Sequence, residues 1–118
     1  MQVNLMKSKL HKATITETLI DYEGSIAIDE DLMESAGILP NEQVHVFNVN
    51  NGQRFITYAI KGTRGSKTIA VNGAAARLVH LYDRIIIVAY GIMDYQKAKD
   101  FEPKVLLLDA ENNIVKSA

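Results

Sequence analysis

The sequence predicts a mainly β domain, a closed or nearly closed barrel with short helices in its connections. Three observations lead there. Apolar and polar residues alternate with period two over many short runs rich in β-branched residues, as in Lys12–Leu19, KATITETL. Turn-forming residues separate these runs at Gly24-Ser25, Asn50-Asn51-Gly52, Asn72-Gly73 and Glu111-Asn112-Asn113. The helical stretches between them are too short and too few for repeated βαβ units, so about seven strands must pair largely with one another.

Taken in order, Gln2–Leu5 and Leu10–Thr18 read as strands and Ser25–Ile28 as a short extended piece. Asp29 is placed to cap a helix through DEDLMESAG, whose acidic first turn suits the positive helix end and whose Gly37 marks its stop. Gln43–Val49 and Arg54–Ile60 flank Asn50-Asn51-Gly52, and Asn-Gly accepts the positive φ that a hairpin turn demands. Lys67–Val71 is a further strand that runs into Asn72-Gly73 and a short helix over AAARLVH. Arg84–Ala89 reads as a buried strand, Tyr95–Phe101 as one or two helical turns, and Lys104–Leu108 as the last strand. No repeat, low-complexity tract or linker divides the chain, so residues 1–118 are expected to fold as one domain.

Composition excludes several function classes. Apolar residues make up 47% and charged residues 23%, a balance that supports a packed core. Thirteen basic and 14 acidic residues are mixed along the chain, so no basic footprint for nucleic acid or an anionic membrane is present. Cysteine is absent, which removes disulfides, thiolate nucleophiles and zinc-thiolate sites together. The longest strongly apolar run, Ile85–Ala89, is too short for a membrane span, and the lysine-bearing N-terminus lacks the apolar core of a signal peptide. A cytoplasmic protein is expected.

Four places could carry chemistry. Gly24-Ser25 is either an ordinary turn or a site of self-attack, in which the serine hydroxyl moves onto the preceding carbonyl and glycine supplies the strained backbone this requires. Arg54 and Tyr58 lie on one face of a strand with Ile56 between them, offering a rigid donor fork and a phenolic proton, or simply two residues suited to a β surface. Asn72-Gly73-Ala74-Ala75 could present backbone N–H groups to an anion, or make a tight turn with close packing. Lys9 and His11 share a strand parity that sets a cation beside a titratable ring. The three histidines have no metal-ligand spacing, so no metal site is expected.

In their order, KLHKA, YEGS-x-AID, AGI, NVNNGQRF-x-TYAI, RGS and VNGAAA make a sequence that resembles the pyruvoyl-dependent aspartate 1-decarboxylases. The resemblance runs from Lys9 to about Ala89 and fades after Met93. It implies a double-psi β-barrel and a precursor that cleaves itself between Gly24 and Ser25. Ser25 would become a covalent pyruvoyl group, the only cofactor, with no dissociable cofactor or metal. L-Aspartate would form a Schiff base with that group, lose carbon dioxide and leave as β-alanine for pantothenate synthesis. The resemblance further implies that Thr57 assists cleavage and also binds substrate, that Tyr58 donates the proton, and that Lys9 and Arg54 pair with substrate carboxylate. Gly73, Ala74 and Ala75 would bind substrate through their backbone, with His11, Tyr22 and Asn72 lining the pocket. It implies a homotetramer with active sites at subunit boundaries. The competing reading is a non-catalytic β-barrel that binds a small anion at Arg54 and the Asn72-Gly73 turn.

Overall fold

The computed structural model describes residues 1–117; Ala118, the end of the expected 1–118 domain, lies outside the described residues. The architecture is mainly β with short helices, as the alternation pattern led us to expect, but with nine strands among the described residues. These are β1 (Gln2–Thr14), β2 (Glu17–Leu19), β3 (Ser25–Asp29), β4 (Gln43–Asn48), β5 (Arg54–Gly62), β6 (Ile69–Asn72), β7 (Arg84–Asp94), β8 (Lys104–Leu108) and β9 (Ile114–Ser117). They pair in the order β2-β6-β3-β5-β4-β7-β1-β8-β9. The pairs β1·β8, β2·β6 and β3·β5 are parallel and the rest antiparallel, a mixed ladder compatible with the barrel class that the resemblance implies.

Two expected strands, Gln2–Leu5 and Leu10–Thr18, resolve differently. The first is part of one continuous 13-residue β1, because Met6–Lys9, which lacks clean alternation, is held by pairing with β7 and β8. Register shifts at Met6/Ser8 and Leu10/Ala13, with Lys12 at a φ of 62°, bend the strand so that it serves both neighbours. The second is broken at Ile15-Thr16, where the chain changes partners. Ile15 N–H donates to Asp83 O (3.0 Å), whereas Thr16 N–H donates to Ile69 O (2.8 Å) and leads into β2 beside β6.

Helix α1 (Glu30–Ala36) begins and ends as its sequence dictates. The Asp29 carboxylate accepts from Asp31 N–H, and Gly37 closes the helix in the left-handed region at φ 73°. Its Leu32, Met33 and Ala36 are buried against the strands. The β4-β5 hairpin is present, with a longer loop than a two-residue Asn-Gly turn. Only Gly52 takes a positive φ there, while the Asn48 and Asn51 side chains accept from Asn50 N–H and Gln53 N–H.

Beyond the hairpin, β6 starts at Ile69, later than the expected Lys67, because Lys67 itself sits at φ 62°. A 3-10 helix, Gly73–Leu78, follows directly. Strand β7 continues to Asp94, five residues past Ala89, since β1 offers it partners as far as Gln2. Helix α2 (Tyr95–Ala98) is a single turn, shorter than the expected Tyr95–Phe101. The core is drawn from nearly every strand, including Leu10, Ile26, Ile28, Val46, Ile87 and Leu106, all 2% exposed or less. Each such side chain contributes about 1.5–3 kcal/mol of burial free energy.

The Glu111-Asn112-Asn113 turn leads into β9, which sequence reading did not anticipate. Asn112, buried at φ 63°, ties this turn to the body of the fold. Its Oδ1 accepts from Thr14 N–H (2.7 Å), and its Nδ2 donates to Thr14 O and Lys67 O (both 2.9 Å).

Candidate active site

Strand β3 opens at Ser25, between β5 on one side and β6 on the other. Its registers are Ile26 opposite Ala59 of β5 and Ser25 opposite Asn72 of β6. Carried one and two residues back, the same registers set Thr57-Tyr58 and Asn72-Gly73 on the two sides of the Gly24-Ser25 peptide. The chain is continuous through that bond, so this is the geometry of the uncleaved form.

The Ser25 hydroxyl is held. Ser25 is 1% exposed; its Oγ accepts from Asn72 Nδ2 at 3.2 Å and donates to the Glu23 carbonyl at 3.3 Å. The bond from the residue 25 hydroxyl to the carbonyl of residue 23 closes a short turn across the intervening Gly24. Asn72 is 2% exposed and its Oδ1 has no hydrogen-bond partner. A buried acceptor left unpaired costs about 1–3 kcal/mol, which marks the place as one built for something beyond packing.

Glycine is required here at position 73 more than at position 24. Gly73 has φ 73°, and a Cβ on it would stand 2.6 Å from Gly24 Cα, 2.8 Å from Gly24 N and 3.1 Å from Tyr22 O. Any side chain at 73 would drive into the main chain of Tyr22 and Gly24. Gly24, by contrast, is outside the left-handed region, and a Cβ there would meet nothing within 4 Å. The strain expected at Gly24 is therefore not present as a left-handed backbone. The close approach comes from the opposing strand end.

Strand alternation separates the roles available on β5. Arg54, Ile56 and Tyr58 are exposed on one face, Tyr58 37% so, while Thr57 is half-buried on the other beside core Ala59. The Arg54 guanidinium lies 4.6 Å over the Phe47 ring, its neighbour in the hairpin register. This stacking steadies the donor fork without engaging its hydrogen-bonding edge. Phe47 was not singled out in the sequence, although the hairpin pairing alone sets it opposite Arg54.

Residues 73–75 follow β6 as the first turn of the 3-10 helix, with Gly73 buried, Ala74 exposed and Ala75 against the core. The Tyr22 side chain is 58% exposed at the approach to Gly24, and its carbonyl lies under Gly73. Lys9 and His11 are not brought to this cluster. They sit on β1, three places from β5 in the ladder, and the cavity they line contains none of Ser25, Thr57, Tyr58 or Asn72.

His11 has its pKa lowered by burial first and then by the positive charges of Lys9, Lys12 and Arg84, so the neutral ring is favoured. Among the described residues, neither Lys9 nor Arg54 has a carboxylate within ion-pairing distance. Both cations are free for an anionic ligand. Among the described residues no group of three or more His, Asp or Glu is placed to hold a metal ion, and no helix is long and apolar enough to cross a membrane.

Known proteins with similar sequences bear directly on this cluster. The chain matches the family described as Aspartate decarboxylase over residues 1–115. It is 60% identical over 115 residues to the Aspartate 1-decarboxylase of Acetivibrio thermocellus, covering 98% of this chain and 91% of that protein. It is 57% identical to the Aspartate 1-decarboxylase of Phenylobacterium zucineum, with both chains covered completely. With that of Caulobacter vibrioides it shares 56% identity over 118 residues, 100% of this chain and 99% of the relative. Matches of this extent leave no part of the fold or of the Ser25 cluster outside the relationship, and the chain belongs to the aspartate decarboxylase family.

Proposed function

We propose that this chain is a single self-processing domain that decarboxylates L-aspartate to β-alanine, using a pyruvoyl group made from its own Ser25. One observation carries the reading: a buried serine hydroxyl, held by Asn72 and bonded back across Gly24 to the Glu23 carbonyl, with Gly73 packed against Gly24 N and Cα. The surroundings fit the group. Gly73 leaves a cradle that a Cβ would fill, and the unpartnered Asn72 Oδ1 is an acceptor beside the position where the group would form.

Processing uses the chain's own atoms. Ser25 Oγ attacks the Gly24 carbonyl carbon, the C–N bond breaks, and the serine nitrogen takes up the hydroxyl proton, leaving an ester. Thr57, two residues before Ala59 on β5, would steady the oxyanion by a hydrogen bond. Loss of the Ser25 α-proton then expels the Gly24 carboxylate and leaves dehydroalanine. Water converts this to a ketone and releases ammonia.

The ketone supplies an electrophile and electron sink of a kind that no ordinary side chain provides. The other groups bind and transfer protons. Tyr58 Oη holds the proton that replaces the departing carboxylate, and Arg54 and Lys9 hold carboxylate oxygens of the substrate. The backbone of Gly73, Ala74 and Ala75 closes the pocket, with Tyr22 and His11 at its walls. Lys9 and His11 lie away from Ser25 within one chain, so the site is completed by a neighbouring protomer, in keeping with a homotetramer whose sites lie at subunit boundaries. We place the reaction in the cytoplasm, where its product serves pantothenate synthesis.

Intact-mass spectrometry with a β-alanine assay tests the proposal. Wild type should give fragments 1–24 and 25–118, the larger lacking a free amino terminus, while Ser25→Ala should give one chain and no β-alanine. Fully active, uncleaved wild-type protein would sink the proposal.

A further inference from the structure

The C-terminal strand has so far had no role. In the ladder, His11 of β1 is opposite Leu107 of β8, and Leu107 is opposite Lys116 of β9, so these three side chains form one row across three strands. Lys9 is opposite Val105 one step along the same face. Together Lys9, His11, Val105, Leu107 and Lys116 line a cavity of about 210 Å³. Its floor is the half-buried Val105 and Leu107, and its walls are two ammonium groups and an imidazole.

Two observations point to a ligand there. His11 lines the cavity, and its ring carries a buried Nδ1 without a hydrogen-bond partner. The charges that act on His11 are all positive, from Lys9, Lys12 and Arg84, and among the described residues neither Lys9 nor Lys116 meets a carboxylate within 4 Å. Arg84 is already engaged, its guanidinium donating to Lys12 O and Leu108 O. A concentration of like charge with no internal counterion is costly unless an anion is to be received.

We propose that Lys116 is a further substrate-recognition residue, which with Lys9 and His11 forms a basic pocket that takes a carboxylate of a dicarboxylic amino acid. The inference rests on the reading above that Lys9 and His11 belong to the substrate site. The Asn112 bonds to Thr14 and Lys67 explain how a fully exposed terminal strand can carry such a residue reliably, because they fix the turn from which β9 departs.

The test compares wild type, Lys116→Ala, Lys116→Arg and, as a control for lost surface charge, Lys97→Ala on α2, each first confirmed by mass to be equally cleaved. With L-aspartate at low ionic strength, Lys116→Ala should raise KM about two- to fivefold, the scale of one partly exposed ion pair, and leave kcat nearly unchanged. The arginine variant should restore most of the loss, the control should match wild type, and added salt should narrow the difference. An unchanged KM, or a fall in kcat alone, overturns the proposal. A parallel titration with succinate, followed by NMR of the His11 ring, should show binding to wild type that weakens in Lys116→Ala. No succinate binding to wild type, or equal binding to both, also overturns it. Cleaved wild type that makes no β-alanine would instead defeat the decarboxylase reading, and the succinate titration would still decide the pocket.

Discussion

Gly73 is the residue whose identity the geometry constrains most. A methyl group there would lie 2.6 Å from Gly24 Cα, at a backbone φ of 73° that alone costs a non-glycine residue about 1–2 kcal/mol. Gly73→Ala should therefore lower stability by about 2–5 kcal/mol in denaturant titrations and slow the appearance of the two fragments. On β5 the alternation of faces predicts a division of labour between neighbours. Thr57→Val should impair cleavage chiefly, while Tyr58→Phe should cleave normally and decarboxylate poorly, by about 100-fold or more for loss of a proton donor. A time course of fragment masses, run beside β-alanine production, separates the two effects. If the two variants exchanged phenotypes, the assignment of Thr57 and Tyr58 would have to be reversed.

At the scale of elements, β3 is anchored at the end away from Ser25 by Asp29. Burial works against ionising this carboxyl, but the N–H groups of Lys67, Gly65 and Asp31 outweigh it and hold the pKa below the usual carboxylate value. A carboxyl with a depressed folded-state pKa contributes stability that is present above its unfolded pKa, about 3.9, and lost as pH falls through the folded value. Asp29→Asn should thus cost about 1–2 kcal/mol at neutral pH, with the gap from wild type closing below about pH 4. Thermal melts across that range check the sign.

The helix that Asp29 starts was legible in the sequence, because cap, acidic first turn and Gly37 are all local signals. So was the hairpin. The continuity of β1 was not, since only tertiary pairing with β7 and β8 holds Met6–Lys9 extended. Strand β9 was missed for a similar reason: four exposed residues carry no burial pattern, and their order comes from β8 and Asn112. At the candidate site the Gly24-Ser25 and Tyr58 motifs could be read directly. The contact of Gly73 with Gly24, and the row from His11 to Lys116, join residues far apart in the chain, which no local spacing reveals.

At the scale of the whole molecule, the proposed cut in the backbone should leave the fold standing. The Gly24-Ser25 bond lies in the short connection between β2 and β3, yet β1 is interior to the ladder, between β7 and β8. Residues 1–24 are thus a structural part of the fold, and the two fragments should coelute under native conditions and separate only on denaturation, as size-exclusion chromatography followed by a denaturing gel will show.

The same placement has a consequence for engineering. Two genes encoding 1–24 and 25–118 separately would supply every strand, so their products should be able to assemble. Under the self-processing we propose they should nonetheless stay inert: with no Gly24 acyl group attached to Ser25, the hydroxyl would have nothing to attack, and the ketone would not form. On that proposal folding should tolerate a pre-existing nick, whereas activation should require the nick to be made from within.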